Sequence, residues 1–168
     1  ILGLLTLSFT IYMIPGLWGA PLNLINAFPP PQHYSESPYG VGKGAVGVEE
    51  GALPEGAHLF KPHNIITFDD YDKGLAYAKQ QNKPVLLDFT GWSCVNCRRM
   101  EQNVWPKPQV LDILKNEVVL ISLYVDDKRP LPESEVKPSQ IREGKLIKTI
   151  GQKWSEFQTL KYKANTQP

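Results

Sequence analysis

The stretch that most constrains this chain is the short apolar run at 85–89, Val-Leu-Leu-Asp-Phe, closed by Thr90-Gly91. A run of that length bounded by a turn signal reads as a buried strand. Cys94 and Cys97, the only two cysteines, follow at once, and residues 95–104 can continue as a helix. Strand, tight turn, then Cys-x-x-Cys at a helix start is the setting a dithiol redox site requires. Unpaired N–H groups and the helix dipole favour a thiolate on the first cysteine, and the second lies one turn away. The context makes the pattern far more specific than a bare Cys-x-x-Cys.

In this reading Cys94 is the attacking thiolate and Cys97 the resolving thiol, with a mixed disulfide between the steps. Asp88 is expected to be buried beneath the pair, with a raised pKa that lets it take or return the proton of Cys97. Glu101 shares the helix face of Cys97 and is expected to be less buried than Asp88, whereas Arg98 and Arg99 read as solvated. Simpler readings stay open: Asp88 as a carboxylate hydrogen-bonded at a strand end, and Glu101 as an ordinary exposed glutamate. Two other functions also stay open. The cysteines could bind a soft metal or form half a zinc site, for which His58 and His63 are the further candidate ligands. They could also be purely structural in an interaction domain, although a buried acid at Asp88 would then be a cost without a use.

Three features carry a family resemblance: Asp88 six residues before Cys94, the Cys94-Val95-Asn96-Cys97 pair, and Glu101 four residues after Cys97. Here the sequence resembles the thioredoxin superfamily and, more narrowly, the C-terminal thioredoxin-like domain of the DsbD family of membrane-bound thiol:disulfide interchange proteins. The resemblance covers roughly residues 60–168. That family usually has Trp directly before the first cysteine, whereas here Trp92 is followed by Ser93. The resemblance implies an α/β thioredoxin-like fold, a central mixed sheet flanked by helices, with Trp92, Ser93 and Pro168 at the partner-docking surface. Pro168 falls where the family has a cis-proline opposite the dithiol, so the fold is expected to be truncated there, leaving residues 118–125 with an open edge. It also implies protein-disulfide reductase activity without nucleotide, flavin or metal. Electrons would come from a cysteine pair in the protein's own upstream transmembrane domain and pass to extracytoplasmic disulfide proteins. The implied location is the bacterial inner membrane, with the domain on the periplasmic side. The runner-up is a membrane-anchored thioredoxin-like reductase for cytochrome c maturation.

The rest of the chain fits around that centre. Net charge is +1 over 168 residues, which gives no electrostatic case for nucleic acid. Residues 1–14 are almost wholly apolar and lack a basic start, and as a helix they would span only about 21 Å against a core of roughly 30 Å. Residues 1–28 therefore read as the end of a transmembrane helix with interfacial Trp18 and Tyr12. Residues 29–56 read as a Pro/Gly-rich linker, and 57–168 as the thioredoxin-like domain, its folded part beginning near Leu59. Within it the pattern predicts a strand at 65–68, a helix at 71–81 capped by Asp69 or Asp70, and a short helix at 109–115 with Val110, Ile113 and Leu114 inward. A buried strand is predicted at 118–125, then a charged insertion at 126–149 with a hairpin near Glu143-Gly144. A helix over 154–162 closes the reading, with Trp154, Phe157 and Leu160 buried.

Overall fold

The computed structural model describes residues 1–18, 22–25, 53–60 and 63–165. Most of the expected linker, 29–52, and Pro168 with its expected cis bond lie outside the described residues.

Helix α1 (Leu2–Met13) is apolar all round and buries none of its residues. Its two threonine hydroxyls bond back to the carbonyls of Leu2 and Thr6 at 3.0 and 2.9 Å, so they expose little hydrogen-bonding capacity. The Tyr12 hydroxyl accepts from the Leu24 amide at 2.8 Å. Among the described residues no helix is long and apolar enough to cross a membrane.

Regular structure in the domain begins at Ala57, two residues before Leu59, with β1 (Ala57–Phe60) paired antiparallel to β2 (Ile65–Phe68). Asn64 turns the hairpin at φ 53°, a conformation that asparagine tolerates better than most residues. Helix α2 (Tyr71–Gln81) starts where Asp70, not Asp69, accepts the amides of Asp72 and Lys73 at 2.9 and 3.0 Å. Asn82 ends it in the left-handed conformation, and β3 (Val85–Thr90) follows. Next come α3 (Val95–Asn103) and α4 (Pro108–Asp112), the latter widening into a π turn at Ile113–Glu117. That widening leaves Val110, Leu111 and Leu114 against the core and turns Ile113 out to solvent, contrary to the expected stripe. After β4 (Val119–Tyr124), the insertion carries the expected hairpin, β5 (Lys137–Pro138) with β6 (Leu146–Ile147).

Helix α5 (Ile150–Tyr162) begins four residues before the predicted start, where Thr149 and Gln152 form a reciprocal capping box. Trp154 is buried, but Leu160 is 37% exposed. Tyr162 in the last turn is also exposed, although one face of its ring lies 5.7 Å from Phe89 and 6.0 Å from Phe157.

The sheet runs β1-β2-β4-β3, with β2, β4 and β3 mutually parallel. Strand β4 is therefore interior. The open edge expected at 118–125 belongs instead to β3, which has no second neighbour among the described residues. Parallel pairing puts laterally matched residues on one face, and each strand alternates. One face carries Phe68, Val119, Ile121 and Leu123 into a core with Ala78 of α2 and Trp154 of α5. Helix α2 comes so close that a Cβ on Gly74 would sit 2.6 Å from the Ile121 side chain. The opposite face packs Phe60, Ile65 and Leu120 against Trp105 and Leu114. Toward the C-terminal ends of β3 and β4 that second face turns polar, and there the cysteines sit.

Candidate active site

Strand β3 delivers the chain to Thr90 and Gly91, and the Cys94 amide closes a turn onto the Gly91 carbonyl at 3.2 Å. Cys94 is the N-cap of α3, in extended backbone, with its Sγ accepting the Cys97 amide at 3.2 Å. Cys94 and Cys97 are joined as a disulfide with their Cα atoms 5.3 Å apart. Cys97 is 2% exposed and Cys94 half-buried. Only Cys94 can therefore meet a partner's sulfur without rearrangement.

Alternation explains what lies beneath. Leu86, Asp88 and Thr90 on β3 match Leu120, Ser122 and Tyr124 on β4, so Asp88, Thr90, Ser122 and Tyr124 share the face that α3 covers. Asp88 is half-buried and accepts the Ser122 hydroxyl at 3.3 Å. Burial pushes its pKa up to about 6, against the smaller opposing pulls of the Ser122 bond and the Arg98 charge. Burial raises the Tyr124 phenol as well, helped by the negative charge of Asp69.

Two helix residues overturn expectation. Glu101 is only 7% exposed, deeper than Asp88, and Arg98 is 4% exposed instead of solvated. Their side chains pair at 2.7 Å. The Arg98 guanidinium also donates to the Thr90 hydroxyl at 3.1 Å and the Gly91 carbonyl at 3.4 Å, tying α3 to the turn before the cysteines. Burial lifts the Glu101 pKa to about 8, outweighing the downward pull of Arg98, with Asp88 adding a smaller push upward. Arg99 is exposed, as expected. Asp88 and Glu101 are thus both acids whose neutral forms are favoured, which the sequence reading gave for Asp88 alone.

Trp92 is half-buried with its ring 5.5 Å from Tyr124, and Ser93 is exposed beside Cys94. The amides of Trp92 and Ser93 both donate to the carboxylate of Asp126, each at 3.0 Å. The sequence reading missed Asp126, Ser122, Thr90 and Tyr124. Three of the four were recoverable by counting alternate residues along the two strands.

His58 and His63 do not join the cysteines. His58 faces Asp69 at 3.7 Å. His63 lies against the backbone of Glu101, its pKa lowered mainly by burial. Among the described residues no group of three or more His, Cys, Asp or Glu is placed to hold a metal, so the metal-site reading gains no support.

A thioredoxin-like family model matches residues 66–142, from β2 into the insertion and across the whole dithiol region. The domain is thioredoxin-like. Two curated relatives narrow the likeness. The chain is 40% identical over 54 residues to thiol:disulfide interchange protein DsbD of Pseudoalteromonas atlantica, covering 32% of this chain and 9% of that one. It is 32% identical over 100 residues to thiol:disulfide interchange protein DsbD 2 of Pseudomonas aeruginosa, covering 60% of this chain and 16% of that one. The matched segments span less than a fifth of those relatives' lengths. Together these matches support a DsbD-family thioredoxin-like domain, and with the Cys-x-x-Cys pair they support thiol–disulfide exchange as its chemistry.

Proposed function

We propose that this thioredoxin-like domain is a protein-disulfide reductase that relays electrons from a membrane-embedded cysteine pair to extracytoplasmic disulfide proteins. The observation that carries it is the half-buried Cys94 capping α3, bonded to a buried Cys97, with two acids of raised pKa on the same face.

In the reduced domain the Cys94 thiolate attacks one sulfur of a substrate disulfide. A Cys94–substrate bond forms, the substrate bond breaks, and the first substrate sulfur leaves as a thiolate. Asp88 takes the proton from Cys97, whose sulfur then attacks Cys94, closing the Cys94–Cys97 disulfide and releasing the second substrate thiolate. Two electrons end on the substrate; Asp88 returns the Cys97 proton to one leaving sulfur, and the other takes its proton from solvent. The domain is reset by the reverse exchange with a donor dithiol, which we assign to a transmembrane segment of the same protein. The exchange itself needs no nucleotide, flavin or metal. Trp92 and Ser93 form the docking surface, Ser93 being exposed beside Cys94.

The test is reduction of insulin by the pre-reduced full chain. Wild type should reduce it, Cys94→Ser should not, and Cys97→Ser should trap a mixed disulfide through Cys94. Insulin reduction that survives Cys94→Ser would refute the assignment. The periplasmic placement is tested separately by labelling Cys94 in intact cells with a membrane-impermeant thiol reagent after mild reduction. Labelling that requires permeabilisation would place the domain elsewhere.

A further inference from the structure

Two adjacent acids open the insertion, and they are held in opposite ways. Asp127 is buried, and its carboxylate is gripped by the Arg129 guanidinium at 2.7 and 2.9 Å, so its charge is matched. No basic side chain pairs with Asp126 among the described residues. Its two oxygens take the Trp92 and Ser93 amides instead, across 34 and 33 residues of sequence. Gly91 is what lets the acid in, because a Cβ there would lie 2.9 Å from one Asp126 oxygen and 3.2 Å from the other. The two residues immediately before Cys94 are thus fixed by one carboxylate from the end of β4.

We propose that Asp126 is a positioning residue for the dithiol: it fixes the turn that presents Cys94 and opposes the thiolate on it with an unmatched negative charge. The proposal deepens the reductase reading and rests on it. The free amides of α3 and its dipole favour a Cys94 thiolate. An anion bonded to the two preceding amides disfavours it, and withdraws two donors that could otherwise turn toward sulfur. Destabilising the thiolate favours the disulfide over the dithiol, which makes the reduced domain a stronger electron donor. That bias suits a domain that must pass electrons onward. It also ties the insertion, whose first residue is this acid, to the reactivity of the cysteines.

Asp126→Asn separates charge from bulk. The other ionisable groups around the dithiol are Asp88 on β3, Arg98 and Glu101 on α3, and Tyr124 on β4, with Asp69 acting on Tyr124. All of them are unchanged in this variant. Three readouts on the full chain make the test: iodoacetamide alkylation of Cys94 against pH, the redox midpoint against glutathione, and amide hydrogen exchange at Trp92 and Ser93. In wild type both amides should be protected, which needs no variant to establish. In Asp126→Asn the Cys94 pKa should drop by about one unit, the midpoint should become less reducing, and at least one amide should lose protection. Unprotected amides in wild type would overturn the proposal, and so would an unchanged Cys94 titration in the variant. None of these readouts requires catalysis. A wild-type chain that fails to reduce insulin would therefore count against the reductase reading, and an unmoved titration against Asp126 alone.

Discussion

On the side of the sheet covered by α2 and α5, β3 and β4 present Val85, Leu87, Phe89, Val119, Ile121 and Leu123. On the side covered by α3, the same two strands present Leu86, Asp88, Thr90, Leu120, Ser122 and Tyr124. One face is continuous hydrocarbon. The other gives up apolar burial at its C-terminal end to house two acids, an arginine and three hydroxyls below a disulfide. Burial of apolar area stabilises by about 25 cal/mol per Å², whereas buried ionisable groups cost free energy unless matched. The two faces therefore divide the labour: the first holds the fold, and the second spends part of that stability on the reactivity of sulfur.

That division can be broken by experiment. The largest effect should come from Ile121→Ala, which removes a fully buried side chain where α2 packs on β4. It should lower the unfolding free energy by about 2–5 kcal/mol in urea titration and leave the pH profile of Cys94 alkylation where it was. A shifted profile would mean that the faces are coupled.

Next is the pH dependence of stability. Asp88 and Glu101 both have folded pKa values raised above their ordinary 3.8 and 4.5. Their contribution to stability is complete below those ordinary values. It is lost as pH rises to about 6 for Asp88 and about 8 for Glu101. Wild type should therefore lose on the order of a few kcal/mol on going from acid to mildly alkaline solution, and Glu101→Gln should remove most of the later part of that fall. Urea midpoints measured across this range check it, and a wild-type midpoint that does not move would deny the cost of the polar face.

Asp88→Asn should act on the sulfur more than on the fold. It should lower the Cys94 pKa by roughly half to one unit, equivalent to about 1 kcal/mol, and slow closure of the mixed disulfide. Glu101→Gln should move the Cys94 pKa less despite its deeper burial, because Arg98 at 2.7 Å offsets its charge and burial favours its neutral form. Equal shifts in the two variants would show that burial, not protonation state, sets the influence. The smallest effect should belong to Leu160→Ala on the exposed side of α5, within about 0.5 kcal/mol. A larger loss would extend the apolar face beyond the residues that now define it.

The apolar face was easy to read from sequence, because period and burial agree there. Residues 71–81 and 85–90 form their helix and strand as the pattern demands. Strand β1 was missed because Ala57-His58-Leu59-Phe60 has neither β-branched residues nor alternation, and becomes a strand only through its pairing with β2. On the polar face the cysteines and Asp88 were legible, yet Arg98 read as solvated and Glu101, placed on the Cys97 face, as less buried than Asp88. Helical spacing does put Cys94, Cys97, Arg98 and Glu101 on one stripe. Charge argued against burying two members of it, and only the pair they make with each other resolves the conflict. Asp126 had no local signal at all, because its partners are more than thirty residues away.

The insertion leaves and rejoins the domain at nearly one point. The Ile150 amide reaches the Arg129 carbonyl at 3.1 Å, the Gly151 amide reaches Asp127 at 2.9 Å, and Pro130 bridges Thr149. A Cβ on Gly151 would fall 2.6 Å from backbone atoms of both Val125 and Asp127, so the stem admits no wider residue there. The outer tip of a segment pinched shut in this way can lengthen or shrink at about 0.6 kcal/mol per doubling of length, whereas its interior is tied to α5, Ser139 and Gln140 holding the buried Glu156 carboxylate and Glu135 pairing with Lys153. The tip of the insertion can therefore change while Asp126, clamped in the stem between Val125 and Asp127, keeps the same grip on the turn that holds the cysteines.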